Sequence, residues 1–199
     1  MLVLVRHGQS VSNAAGLLVG RSDPPLTDLG RSQAELAGRM LASLAVGSIV
    51  SSPLRRAAAT AAIIAEAVGY GGEIVVEPRL AELDYGAFDG RHMSELDPSD
   101  LAAWRADARW RPPGGETLVE LHERVEGWCR DVAAEAGGGN VVAVTHMSPV
   151  KAAAAWAMGV GPEICWRMSL AVAAVTRIAT TTPPSLVSFG ETSHLASLS

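Results

Sequence analysis

Two histidines stand where apolar runs end. Leu2-Val3-Leu4-Val5 stops at Arg6-His7-Gly8, and the run from Asn140 to Thr145 stops at His146. Each run reads as a short buried strand, so the pattern predicts two imidazoles at the C-terminal edge of one sheet, where open α/β folds place their ligands. Gly8 allows a sharp turn and a close approach of backbone to ligand. Ser51-Ser52-Pro53 reads as a helix start, with Ser52 as N-cap and Pro53 at the first helical position. Arg55 then falls in the first turn, beside free backbone N–H groups and the positive end of the helix dipole. An anion is the expected partner. A phosphate monoester carries nearly two negative charges, and Arg6, Arg55, the His146 imidazole, Asn13 and a helix N-terminus supply donors for it. With that many protein donors no metal is needed, and neither metal nor organic cofactor is expected. Neutral imidazole is also a competent nucleophile near pH 7, which allows a covalent phosphohistidine.

Phosphate transfer needs a proton donor as well. Residues Arg79 to Gly90 set acids among apolar and aromatic side chains in a glycine-punctuated loop, where a carboxyl group can be tuned for proton transfer. Glu82, Asp84 and Asp89 all compete for that role on these grounds. Asn13 lies in the aperiodic stretch Val11 to Ser22, where its amide could donate to a phosphate oxygen or simply hold a turn.

The elements that position these groups are partly legible. Thr27 is a plausible N-cap for a helix carrying Leu29, Gln33, Leu36, Ala37, Met40 and Leu41 at helical spacing. Val46 to Val50 and Glu73 to Glu77 read as strands, and the almost wholly apolar helix from Ala57 to Val68 as one buried against a sheet. A short helix is expected over Asp100 to Ala106. A long one follows Thr117 to about Ala136, with Leu118, Leu121, Val125, Trp128 and Val132 on one face, and Gly137 to Gly139 end it. His122 on that helix reads as structural. Ser148-Pro149 starts a further helix through Met158, and Ala171 to Ala179 and Leu186 to Phe189 look like closing strands.

With 199 residues, 48% of them hydrophobic, and a formal charge of -5, the chain suits one acidic globular domain rather than a nucleic-acid binder. The apolar residues before Arg6 are too few for a signal peptide and no run spans a bilayer, so a cytoplasmic location is expected. Cys129 and Cys165 lack metal-ligand spacing and read as buried small hydrophobes.

Five groups of residues share one family's order: Arg6-His7-Gly8-Gln9-Ser10 with Asn13; Pro25-Leu26-Thr27 with Gly30 and Gln33-Ala34; Ser52-Pro53-Leu54-Arg55-Arg56-Ala57 with Thr60-Ala61; Glu82 before Tyr85-Gly86 and Gly90; and Thr145-His146. Together they resemble the histidine phosphatase superfamily, the phosphoglycerate mutase-like proteins. That resemblance implies a three-layer α/β/α sandwich with a mostly parallel sheet, a single domain over 1–199, and a short cap at about 92–113. It implies His7 as nucleophile and Glu82 as the group that protonates the leaving alkoxide and then activates water, with Arg6, Arg55 and His146 around the phosphate. Asn13, Gly20 and Met147 are further candidates on the substrate side. Met147 stands where a Gly is usual and Lys151 where Arg is frequent. The short cap segment favours a metal-independent phosphatase of a small phosphate ester. A cofactor-dependent mutase is the alternative, and a non-catalytic phosphate-binding module a third. Trp104 and Trp110 in the cap either line the pocket, favouring an apolar or ring-bearing ester, or merely pack it. Neither nucleic acid nor membrane is expected as a partner, and a homodimer is left open.

Overall fold

A computed structural model describes residues 1–135 and 139–198 of the chain. Among these, six strands form one sheet: β1 (Leu2–Arg6), β2 (Val46–Ser51), β3 (Ile74–Val76), β4 (Asn140–Thr145), β5 (Val175–Ala179) and β6 (Ser185–Glu191), in the order β3-β2-β4-β1-β5-β6. The first four of that order run parallel, and β5 and β6 close one side antiparallel. The expected mostly parallel sheet is therefore present. Alternation along the central strands sends side chains to two cores. Leu2, Leu4, Val141 and Ala143 pack on one face with α5 (Leu118–Ala134) and α6 (Met147–Met158); Val3, Val5, Val142 and Val144 pack on the other with α2 (Asp28–Leu41) and α3 (Arg55–Ala67). Strands buried on both faces read as continuous apolar runs because helices cover both sides.

Two neighbouring strands decide where the site lies. β1 and β4 pair in register from Leu2 with Val141 to Arg6 with Thr145, and the His7 N–H donates to the Thr145 carbonyl at 2.9 Å, one residue beyond the strand. Both imidazoles thus leave the sheet at adjacent strand ends.

Local signals mostly hold at the helices. Thr27 caps α2 by accepting from the Gly30 N–H at 3.0 Å, and Thr117 with Glu120 forms a capping box at the start of α5. α5 ends at Ala134, and of the expected end at Ala136 with a stop at Gly137 to Gly139, residues 136–138 lie outside the described residues. The aperiodic stretch after β1 contains a short helix, α1 (Val11–Ala14), capped by Ser10. A nine-residue helix, α4 (Pro98–Ala106), occupies the segment read as a cap. Closing strand β5 begins at Val175 rather than Ala171, because residues 171–174 turn: Ala173 has φ 55° and donates its N–H to the His7 carbonyl.

Candidate active site

Gly8 makes the first turn possible. A Cβ there would lie 2.1 Å from the Gly30 carbonyl oxygen, so the turn rests on the backbone of α2 at a distance that only glycine permits. Its N–H donates to Thr60 Oγ1 at 3.1 Å, tying the turn to α3. His7 is 2% exposed and held at both ring nitrogens. A carbonyl can only accept, so the 2.6 Å contact with Gly8 O puts the proton on Nδ1. Arg56 Nε–H donates to Nε2 at 3.2 Å, so that atom presents its lone pair. Burial first, then the Arg6 and Arg56 charges, holds the imidazole well below its ordinary pKa, and the ring is neutral at pH 7.

Arg56, not Arg55, is the α3 cation at the site. The expected start at Pro53 is displaced: α3 begins at Arg55, its N-cap Leu54 offers no side-chain cap, and successive residues on a helix point about 100° apart. Arg55 is exposed and contributes only its backbone N–H, to Asp23 Oδ1 at 2.7 Å. Arg56 is fully buried and also donates to the carbonyls of Ser22 at 2.7 Å, Gly20 at 2.9 Å and Val19 at 3.3 Å. Gly20 therefore meets the site through its carbonyl. Its N–H is taken by Asp89 Oδ1 at 3.0 Å, so it offers no donor to a phosphate.

Ser52 is likewise not a helix cap. Its hydroxyl, fully buried, lies 2.7 Å from His146 Nε2, while Leu54 N–H donates to it at 3.3 Å. The His146 and His7 rings meet edge to face, 5.0 Å between centroids at 62°. Burial, with His7 and three arginine charges, pushes the His146 pKa well down too. Its Nδ1 is buried without a partner among the described residues, and so is Arg6 Nε. Arg6 is aimed by one bond from Nη1 to the Leu170 carbonyl at 2.6 Å.

Of the three competing acids, Glu82 is the one at the site. It is 4% exposed and accepts from its neighbour Leu83 N–H at 2.8 Å and from Ser148 N–H, at the start of α6, at 3.2 Å. Arg124 of α5 steadies the loop by donating to the Glu82 carbonyl at 3.2 Å and to Glu116 at 2.6 Å. Asp84 instead accepts from Gly86 N–H, and Asp89 from Gly20, Ser22 N–H and the Ser22 hydroxyl. Burial would raise the Asp89 carboxyl, but those donors outweigh it and the pKa falls. Asn13 spends its side-chain oxygen on Ser10, N–H at 3.1 Å and hydroxyl at 2.8 Å, which turns its amide NH2 the other way. Arg56, Ser52, Thr60, Ser148 and Arg124 were not singled out as site residues from sequence. The first two sit inside the Ser52 to Ala57 motif, but only helix phase tells which of its side chains point inward.

The model of the histidine phosphatase superfamily (branch 1) matches residues 2–187. The chain belongs to that superfamily. A glucosyl-3-phosphoglycerate phosphatase of Mycolicibacterium vanbaalenii is 41% identical over 126 residues, which is 62% of this chain and 55% of that protein. The chain spans about half the length of the curated relatives it matches first. Phosphoserine phosphatase 1 of Hydrogenobacter thermophilus is 34% identical over 169 residues, covering 83% of this chain and 79% of its own. Among solved structures, a mycobacterial glucosyl-3-phosphoglycerate phosphatase complexed with VO3 superposes with a TM-score of 0.81 at 31% identity, covering 89% of this chain and 92% of the other.

Beside the residues gathered around His7 and Glu82 lies an apolar cavity. Leu83, Tyr85, Met93, Trp104, Met147 and Trp166 form most of its wall, with Ser148, Lys151 and Cys165. Trp104 packs within 5.1 to 6.1 Å of Tyr85, Phe88, Trp110 and Trp166. Trp110 stacks on Phe88 at 6.0 Å and is not part of the wall. Cys129 and Cys165 are free and buried, as expected.

Proposed function

We propose that the protein hydrolyses a small-molecule phosphate monoester without a metal, through a phosphohistidine on His7 Nε2. The observation that carries this reading is the tautomer: Gly8 O holds the proton on Nδ1, and Arg56 marks Nε2 as the atom with the free pair. The family match and the phosphatase names of relatives support it.

When an ester enters, the Arg56 Nε–H turns from His7 Nε2 to a phosphoryl oxygen, and Arg6 Nε and His146 Nδ1, buried without a partner among the described residues, serve as further donors. Such preorganised donors act on charge that grows in the transition state. Nε2 then attacks phosphorus and the P–O bond to the alkoxide breaks. Glu82 delivers a proton to the departing oxygen and, as carboxylate, takes one from the water that attacks phosphohistidine. Inorganic phosphate leaves, and His7 returns to its neutral form. Asn13, with its amide turned away from Ser10, is assigned to a phosphate oxygen, and residues 92–113 act as the cap of a single domain. A cytoplasmic location is part of this proposal. No helix among the described residues is long and apolar enough to cross a membrane.

The test is to trap acid-labile, base-stable phosphate on the chain during turnover. We expect His7→Ala to lose both the label and the release of inorganic phosphate while keeping its fold, activity to survive exhaustive chelation, and vanadate to inhibit. A mutase would pass the phosphoryl group to a second hydroxyl instead of releasing it. A binding module would show no turnover. Activity lost to chelator and restored by a divalent metal would overturn the reading.

A further inference from the structure

Resting on the phosphatase reading, we propose that the organic part of the substrate is compact, apolar and ring-bearing, and that it seats in the cavity walled by Met93, Trp104, Met147 and Trp166. The cavity adjoins the proton donor directly. Leu83 follows Glu82, the Ser148 N–H donates to the Glu82 carboxylate, and Met147 follows His146; Leu83, Met147 and Ser148 all line it. An ester whose leaving oxygen faces Glu82 therefore projects its carbon skeleton between these walls.

The wall chemistry selects the class. Trp104 and Trp166 stand perpendicular, 5.1 Å between centroids at 88°, which makes an aromatic corner suited to another ring edge to face. Met147 adds a deformable thioether surface beside it. Lys151 is the cation among the lining residues; its ammonium donates to the Cys165 carbonyl at 3.1 Å and keeps two further N–H groups and its charge. Ser148 has its N–H on Glu82 and its hydroxyl 3.4 Å from the Tyr85 hydroxyl. Arg105 lies over the Trp166 ring at 5.7 Å but is exposed, and Arg6 and Arg56 face the phosphate. The rest of the wall is mostly apolar, so an apolar ring gains most by leaving water here.

The experiment compares primary alkyl esters, so that leaving-group chemistry is similar: 2-phenylethyl phosphate, ethyl phosphate, O-phosphoserine and 3-phosphoglycerate. We expect kcat/KM for the phenyl ester to exceed that of ethyl phosphate by at least about tenfold, the order that a fitted apolar contact gives, and to exceed that of either carboxylate ester. Trp104 is a core residue whose removal risks the fold, so Trp166→Ala and Met147→Ser are the variants; each should lower the ratio of phenylethyl to ethyl ester by about tenfold. A binding arm uses 2-phenylethylphosphonate, followed by indole fluorescence, against inorganic phosphate. Equal or better turnover of phosphoserine or 3-phosphoglycerate overturns the proposal, and so does a phosphonate that binds no tighter than phosphate. If the phosphonate binds tightly, Trp166→Ala weakens it and no ester is hydrolysed, the cavity assignment stands and the phosphatase reading falls.

Discussion

The hydroxyl of Ser52 and Nε2 of His146 lie 2.7 Å apart, both groups wholly buried. Among the described residues His146 Nε2 is the acceptor recorded within reach of the Ser52 hydroxyl proton, and with that proton donated to Nε2 the ring carries its hydrogen on Nδ1. That is the buried nitrogen without a partner. In the proposed mechanism Ser52 thus acts as a positioning residue that sets His146 as a donor toward the phosphate. Ser52→Ala should lower kcat by roughly tenfold to a hundredfold, less than the 10²–10³ expected for deleting a transition-state donor itself, with Ser52→Thr restoring most of it. Nitrogen-15 spectra of the ring report the tautomer. An unchanged tautomer in Ser52→Ala refutes the assignment.

Arg56 and Arg55 are neighbours with opposite expectations. Arg56→Ala removes a phosphate donor and strands the carbonyls of Val19, Gly20 and Ser22, so kcat/KM should fall by about 10²–10³ and the melting temperature should drop. Arg55→Ala should change stability by no more than about 0.5 kcal/mol and kcat/KM by less than about twofold. Kinetics and thermal melts on the pair decide it.

Glu82→Gln should cost on the order of 10²–10⁴ on an alkyl phosphate. An aryl phosphate, whose phenolate leaves unaided, should lose far less while phosphorylation of His7 limits the rate. Equal losses would make Glu82 a positioning group, and a larger effect at Asp84 or Asp89 would move the role there.

Acid should weaken the fold through its imidazoles. The pKa values of His7 and His146 are held well below 6.5 by burial, and that of His194 is lowered by the same cause. A depressed pKa means that the unfolded chain binds the proton first, so the stabilisation is complete above about pH 6.5 and is lost as pH falls toward the folded values. Each imidazole adds at most about 1.4 kcal/mol per pH unit. The carboxyls with lowered pKa, Asp89, Asp97, Glu77 and Glu120, start from 3.8 or 4.5 and act at lower pH. Denaturant titrations at pH 7 and 5.5 should show a smaller loss in His7→Gln than in the parent. An identical loss would show that His7 is not buried neutral.

Much of the site could be read from the chain because it depends on local order. His7 and His146 each follow an apolar run, the end of a run is visible in sequence, and parallel strands in an α/β sheet present their ends at one edge. The place of Glu82 before Tyr85-Gly86 marks it through the family resemblance, although chemistry alone leaves Asp84 and Asp89 open. What the tertiary structure decided is direction and company. Whether Arg55 or Arg56 faces His7 turns on the phase of α3, and that phase is set by Ala57, Ala61 and Ile64 packing on the sheet. Ser52 carries every local mark of a helix cap, yet its hydroxyl is claimed by a ring 94 residues away. The cavity is more distant still from sequence logic: Trp104 and Trp166 meet only because α4 and the 3-10 turn at Pro162–Arg167 close over the same end of the sheet, and no pattern within either segment encodes the other.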